Sequence, residues 1–486
     1  MELTNKRKVF LGRFIYSKTR EELAYLSDTA VCVDENGRIA AIKEGTDWEG
    51  VLSEVLPSLG WDGDKIEARF SGEDNFFFPG FVGELPLPNT IFLFEQEADR
   101  EDTHVHAPQY PNVGIFGKST LLDWLNTYTF PMEAKHADVA LARRVYSAAL
   151  RRMIAHGTTT AALYAARDVG STNVLADLCL SIGLRAFVGR VCMDDERTCP
   201  AYYRDESPED SLQLTKECIA HVKKIDPEYD LVSPIITPRF APSCTSEALS
   251  LLGKLQQVTG LPVQTHISEN HGELSLVREL FPESADYASV YDAHGLLSPK
   301  TILAHGIHLT DAEAGLIAAR GAKVSHCPVS NSSLSSGTAR VRWLWDQGIE
   351  VGLGTDMSGG YAPSVLENAR QASLVSRHVA MGMPDGEEKE RVKLSVEETL
   401  YLATRGGASV VGLGDKIGAF EVGMEFDALL VGLGRVGEDG LNTTNGNVDV
   451  FGWETWEERV AKWLFNGDDR NCKEVWVKGV LVHKRS

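Results

Sequence analysis

DTHVHAPQY, residues 102–110, reads as the C-terminal end of a buried β-strand carrying two histidines. Strand side chains alternate with a period of two, so His104 and His106 point to the same side. Seven further runs along the chain resemble it. They are GTTTAAL (157–163), RAFVGRVCMD (185–194), VSPIITPRF (232–240), PVQTHISE (262–269), TILAHG (301–306), AKVSHCP (322–328) and VGLGTD (351–356). Longer segments with apolar residues near a 3.6-residue period separate them, such as DVALARRVYSAALRRMIAHG and TSEALSLLGKLQQVTG, both ending in glycine. Eight strand–helix alternations predict an α/β fold with a parallel sheet closed as a (β/α)8 TIM-like barrel. LSVEETLYLATRGGASVVGL follows, opened by a capping box of Ser395 and Glu398. The acidic stretch 385–390 reads as a solvated loop.

The polar switches fall at the ends of these runs: His104 and His106, then Arg239, His266, His305 and Asp356. A β/α barrel builds its active site at that face. Taken singly each residue is ordinary: a core histidine, or an aspartate capping a turn. Together, three histidines (His104, His106, His266) and Asp356 form a donor set suited to zinc or iron with a position open for water. Glu269, three residues after His266, stands where a general acid/base belongs. His305 is placed to hydrogen-bond a water or a developing charge. His326 is read as structural, His156 as a helix C-cap, and His271, His294 and His308 as surface residues.

Upstream of the first strand the sequence is awkward. PGFV (79–82) also begins like a buried strand, and the 19 residues Gly83–Glu101 separate it from DTHVH. Counting back from His104, Asp102 and Arg100 would face the lumen and Glu101 the helix layer. The last two places would otherwise hold Phe81 and Val82. Unpaired buried charge costs several kcal/mol. The segment can loop out, form a lid, or be absent from the natural protein; the third reading is preferred.

Both chain ends read as β-rich. Asp28–Gly45 is a hairpin around Asn36-Gly37, and Lys478-Gly479 marks a second turn. The expected organisation is 1–78 and 415–486 as two parts of a small β-sandwich, with the barrel over 79–414. A length of 486 residues allows a large core, and a net charge of −21 disfavours nucleic acid and anionic membranes as partners. Eight scattered cysteines without C-x-x-C argue for free thiols, hence a cytoplasmic setting. No signal-peptide core or membrane-length apolar run is found.

The order H-x-H, His, His, Asp across strands one, five, six and eight resembles the amidohydrolase superfamily. DTHVHAPQYPNVGIFGKSTLLDWLNTYTFP, RAFVGRVCMD, PRFAPSC, THISEN, SHCPVSNSSLSSG, GLGTDMSGGY and LFNGDDRNCKEVWVKG are similar to its guanine-deaminating branch. The resemblance implies one zinc ion per chain, with iron as the alternative, on His104, His106, His266 and Asp356. It implies catalytic work by Glu269, His305 and Asp356, a substrate read by Gln109, Arg239 and Phe240, and a homodimer. Arg239 would offer a cationic fork to a ring carbonyl, and Gln109 both a donor and an acceptor. Trp124 would wall the pocket or join the core. Two rival readings are an amidohydrolase acting on another heterocycle, of cytosine or triazine type, and a non-catalytic homologue whose site the insertion disrupts. The H-x-E and P-C-x-x-C pattern of the other zinc deaminase design is absent.

Overall fold

The computed structural model describes residues 6–81, 102–442 and 446–485. Its strands are β1 (Lys8–Ser17), β2 (Leu23–Val33), β3 (Ile39–Lys43), β4 (Glu67–Phe70) and β5 (Asn75–Pro79), then β6 (Asp102–His106), β7 (Thr160–Tyr164), β8 (Arg185–Gly189), β9 (Val191–Cys192), β10 (Val232–Pro234), β11 (Thr237–Pro238), β12 (Val263–Ile267), β13 (Thr301–His305), β14 (Lys323–His326) and β15 (Val351–Leu353), and finally β16 (Ala428–Gly432), β17 (Gly434–Arg435), β18 (Asp449–Val450), β19 (Cys472–Val477) and β20 (Val480–Lys484). All eight predicted barrel runs are strands; the third and fourth are each broken in two, as β8/β9 and β10/β11.

The parallel strands pair in the order β10-β8-β7-β6 and β12-β13-β14-β15. A parallel bridge between Ile236 and Val263 joins the two groups on one side. On the other, Asp356 N donates to the His104 carbonyl at 2.8 Å. The result is a mixed α/β fold of TIM-barrel-like kind. Its N-terminal end is filled by Ala162, Phe187, Ile235 and Ile302 packed on Ala408, Val410, Val411, Leu413 and Ile417. Access is therefore left at the C-terminal ends.

The helix Val139–Ala155 illustrates how the outer layer forms. Asp138 caps it by accepting from Ala140 N and Leu141 N, and His156 is its C-cap, as expected. Ala142, Val145, Tyr146, Ala149, Leu150, Met153 and Ile154 recur at three- and four-residue spacing and are all buried. Each large apolar side chain on that stripe contributes about 1.5–3 kcal/mol. The Ser395–Glu398 capping box forms as read. The acidic stretch is corrected in part: Glu387–Arg391 is a short exposed helix, held by i, i+4 and i, i+3 pairs such as Lys389–Asp385 and Arg391–Glu388.

Both chain ends contribute to one eight-stranded sheet, ordered β20-β19-β16-β5-β1-β2-β3 with β4 beside β1. The hairpin turn at Gly37 has φ 82°, and Lys478-Gly479 has φ 49° and 68°, as a type I′ turn requires. Phe10, Phe14, Phe77, Phe420, Phe426 and Trp476 fill one face of this sheet. Arg185, fully buried at the start of β8, pairs with Glu425 at 2.8 Å and Asp427 at 3.3 Å and so ties the sheet to the barrel. All eight cysteines are buried and free.

The expectations for Gly83–Glu101, including Arg100 and Glu101, lie outside the described residues. Their flanks are defined. Phe81 bridges Thr158, just before β7, and Asp102 pairs with Ala161 within it, so their partners are three residues apart, about 10 Å by strand rise. Asp102, expected to face the lumen, is buried. Its carboxylate accepts from Thr355 N at 3.0 Å and Thr355 Oγ1 at 2.9 Å.

Candidate metal centre and substrate pocket

The ends of β12, β13 and β15 bend sharply. Ser268, His305 and Asp356 all have positive φ, at 50°, 74° and 43°. Such L-residues store about 1–3 kcal/mol each and persist where their surroundings over-determine them. Here backbone bonds from Gly306 N to Ile267 O and from Asp356 N to His104 O hold the bends. Gly354 lets β15 close on β6: a Cβ there would sit 2.8 Å from His104 Cβ and 2.9 Å from Cys327 Sγ.

These bends bring His104, His106, His266 and Asp356 together, with one donor atom from each lying within 4.8 Å of all the others. His106 Nε2 and His266 Nε2 are 3.1 Å apart, and Asp356 Oδ1 is 3.3 Å from His104 Nε2 and 3.5 Å from His106 Nε2. His266 Nδ1 donates to the Arg239 carbonyl at 2.6 Å, which leaves its Nε2 lone pair facing the cluster. Burial, then the neighbouring imidazoles, hold His106 and His266 well below the ordinary histidine pKa, so both are neutral. Burial opposes ionisation of Asp356, but the His104 hydrogen bond and the surrounding histidines pull its pKa well below the carboxylate range. Neutral imidazoles and a carboxylate converging on one point, two nitrogens in near contact, fit a single divalent cation of the zinc or iron type.

Glu269 and His305 stand beside this cluster, with His305 Nε2 3.4 Å from Glu269 Oε2. Burial raises the Glu269 carboxyl to about 7. Ser336 Oγ donates to its Oε1 at 2.9 Å. His305 Nδ1 donates to Asn331 Oδ1 at 2.9 Å. Burial disfavours its charge, yet Glu269 and Asp356 raise its pKa above the ordinary value.

The pocket over the cluster is lined by Gln109, Arg239, Phe240, Glu269, Trp124 and Leu334 among others. Gln109, Arg239 and Phe240 are thus in the pocket, and Trp124 is both wall and core. Gln109 Nε2 donates one of its two N–H groups to Glu133 Oε1 at 2.7 Å, which turns the amide so that its Oε1 has no partner among the described residues. Glu133 also receives both ends of the Arg239 fork, Nη1 at 2.6 Å and Nη2 at 3.0 Å. Burial works against the Arg239 charge and Glu133 more than offsets it, leaving the pKa above the usual arginine value. Sequence reasoning missed Glu133, Asn331 and Ser336. TFPMEA holds an isolated glutamate that nothing local separates from a surface one.

Of the histidines set aside, His326 is fully buried in the strand, His271 is exposed, and His294 and His308 are half-buried. A larger cleft, lined by Arg13, Lys43, Asp47, Glu73 and Arg435, lies on the sheet formed by the chain ends. It is open and of mixed charge, with none of the converging donors.

The family model described as "Amidohydrolase family" matches residues 98–482, and the chain belongs to that family. Over 381 residues it is 48% identical to a probable guanine deaminase of Schizosaccharomyces pombe, covering 78% of this chain and 70% of that protein. The guanine deaminase of Mus musculus is 37% identical over 474 residues, covering 98% and 96% of the two chains. Among solved structures, guanine deaminase from C. acetobutylicum with bound guanine in the active site matches with a TM-score of 0.82 and 33% identity, covering 98% of this chain and all of that one.

Proposed function

We propose that this protein hydrolyses guanine to xanthine and ammonia, a step of purine catabolism. The observation that carries this reading is the meeting of a buried His3Asp cluster, a carboxyl raised to about 7 and a Gln109–Arg239 wall in one pocket. Relatives named guanine deaminase along nearly the whole chain support it.

His104, His106, His266 and Asp356 would hold one zinc ion, with iron as the alternative. Bound there, the ion supplies Lewis acidity that lowers the pKa of water toward about 7. Guanine lies against Gln109, Arg239 and Phe240, which orient the ring, while Trp124 and the neighbouring leucines exclude solvent. Asp356, ionised at the outset, takes a proton from the attacking water as its oxygen bonds to C2. Glu269 enters protonated and gives that proton to the adjacent ring nitrogen; it then takes the proton left on the attacking oxygen and passes it to the departing amine, and the proton held by Asp356 restores the acid form of Glu269. His305, whose pKa Glu269 and Asp356 raise above the ordinary value, turns its Nε2 toward the developing negative charge. The C2–N bond breaks and ammonia leaves.

We further read the architecture as a (β/α)8 barrel over 79–414, interrupted by the insertion 83–101. The small β-sandwich would comprise 1–78 and 415–486, and the protein would be a cytoplasmic homodimer. Among the described residues no helix is long and apolar enough to cross a membrane. Transcript sequencing across Val82–Asp102 tests whether the insertion belongs to the natural protein; continuous coverage sinks the preferred reading that it does not. The function is tested by following guanine-to-xanthine absorbance change with purified, zinc-supplemented protein. Turnover of cytosine or a triazine in place of guanine would overturn it.

A further inference from the structure

The wall opposite the metal ligands carries a charge that touches neither the ligand cluster nor the open pocket. Glu133 is fully buried, yet both its oxygens are spoken for. Oε1 accepts from Gln109 Nε2 and Arg239 Nη2, and Oε2 from Arg239 Nη1. A carboxylate can only accept hydrogen bonds. It therefore dictates which end of the Gln109 amide it meets. The NH2 end turns to Glu133 and the carbonyl oxygen is left buried, with no partner among the described residues. An unpartnered acceptor of this kind costs about 1–3 kcal/mol until a donor reaches it. The same carboxylate neutralises Arg239 and fixes its planar fork, leaving one N–H on each terminal nitrogen to donate elsewhere. Arg239 in turn accepts from His266 Nδ1 through its backbone carbonyl, so the fork is anchored to the cluster.

We propose that Glu133 is the positioning residue that sets the polarity of this wall, acceptor at Gln109 and donor at Arg239, and so selects a lactam edge in the substrate. A lactam presents a ring N–H beside a ring C=O, the complement of that pair. An amino-substituted edge, with a ring nitrogen acceptor beside an NH2 donor, meets acceptor with donor reversed and leaves buried groups unpaired. This rests on the guanine reading: guanine carries the lactam edge and adenine the reversed one. Sites built on buried hydrogen bonds discriminate far more sharply than apolar pockets do.

The test uses full-length, zinc-loaded protein. Inhibition constants for hypoxanthine (lactam) and adenine (reversed edge) are measured against guanine turnover, together with KM and kcat, for wild type, Glu133→Gln and Glu133→Asp. Calorimetric binding of the two purines accompanies each. In Glu133→Gln the replacement amide can donate as well as accept, so Gln109 is free to turn. The preference for hypoxanthine over adenine is expected to fall roughly 10-fold or more, with KM for guanine rising more than kcat falls. Glu133→Asp keeps an accept-only partner and is expected to retain most of the preference at weakened affinity. Loss of affinity for both purines in equal proportion would overturn the proposal, since a merely structural role has that signature. Should Glu133→Gln fail to fold, Glu133→Asp decides: a preference that is lost or inverted overturns it. Wild-type protein that binds hypoxanthine in preference to adenine without turning over guanine would overturn the function and leave this inference standing.

Discussion

The two walls of the pocket solve the problem of buried charge in opposite ways. On the substrate-facing wall, Glu133, Arg239 and Gln109 complete one another within the protein. On the other, His104, His106, His266 and Asp356 crowd their donors together with two imidazole nitrogens 3.1 Å apart. Folding pairs the charges of the first wall and leaves the Gln109 oxygen open; the second has the donors to hold a cation. Under the proposed function, rigidity on one side would give a fixed template for a ring edge, and convergence on the other a place for chemistry.

The largest effect is expected on the metal wall. Asp356→Ala should lower bound zinc to near zero and reduce turnover by more than about 10⁴-fold, because the proposed function gives the residue both roles, donor and proton acceptor. Metal analysis beside a turnover assay checks it, and full zinc occupancy with high activity would break the contrast drawn here. Glu269→Gln should keep its zinc and lose about 10²–10⁴-fold in kcat. Because the proposed function uses Glu269 in its protonated form, and its carboxyl is raised to about 7, wild-type kcat/KM should decline above about pH 7. The variant should lack that limb in a pH–rate profile.

The finished wall is expected to fail differently. Arg239→Ala leaves the Glu133 carboxylate buried without its main partner. It should cost about 3–5 kcal/mol of stability in a chemical denaturation series, besides weakening substrate binding. A stability change confined to a few tenths would show that this wall is not completed by its internal pair. The smallest effect concerns the strand that carries the H-x-H. Burial holds Asp102 at about 7, above the usual value of ~3.9. The stability it contributes is therefore fully present below the unfolded value and is lost as pH rises through 7. Asp102→Asn should stabilise chelator-treated protein by on the order of 1–3 kcal/mol at pH 8 and by almost nothing at pH 4. Equal melting shifts at both pH values would contradict it.

The residues at strand ends were legible because strand period and apolar-to-polar switching are local properties. His104, His106, His266 and Asp356 could be assembled from spacing and barrel geometry alone, as could Glu269 and His305 beside them. So could the hairpins at Gly37 and Lys478-Gly479, since turn chemistry resides in adjacent residues. The acidic stretch was misread because its helix rests on weak i, i+4 pairs that composition alone does not separate from a loop.

What the sequence determined by itself, then, was the alternation of strands and helices, the donors and the face on which they meet. These follow from periodicity, which each segment carries whether or not it is folded. The tertiary structure decided who partners whom. Asp102 stands paired with Thr355 although 253 positions separate them, and Arg239 rests on Glu133 across 106. It also decided how the Gln109 amide is turned, because a buried carboxylate holds its NH2 end and leaves its oxygen without a partner among the described residues.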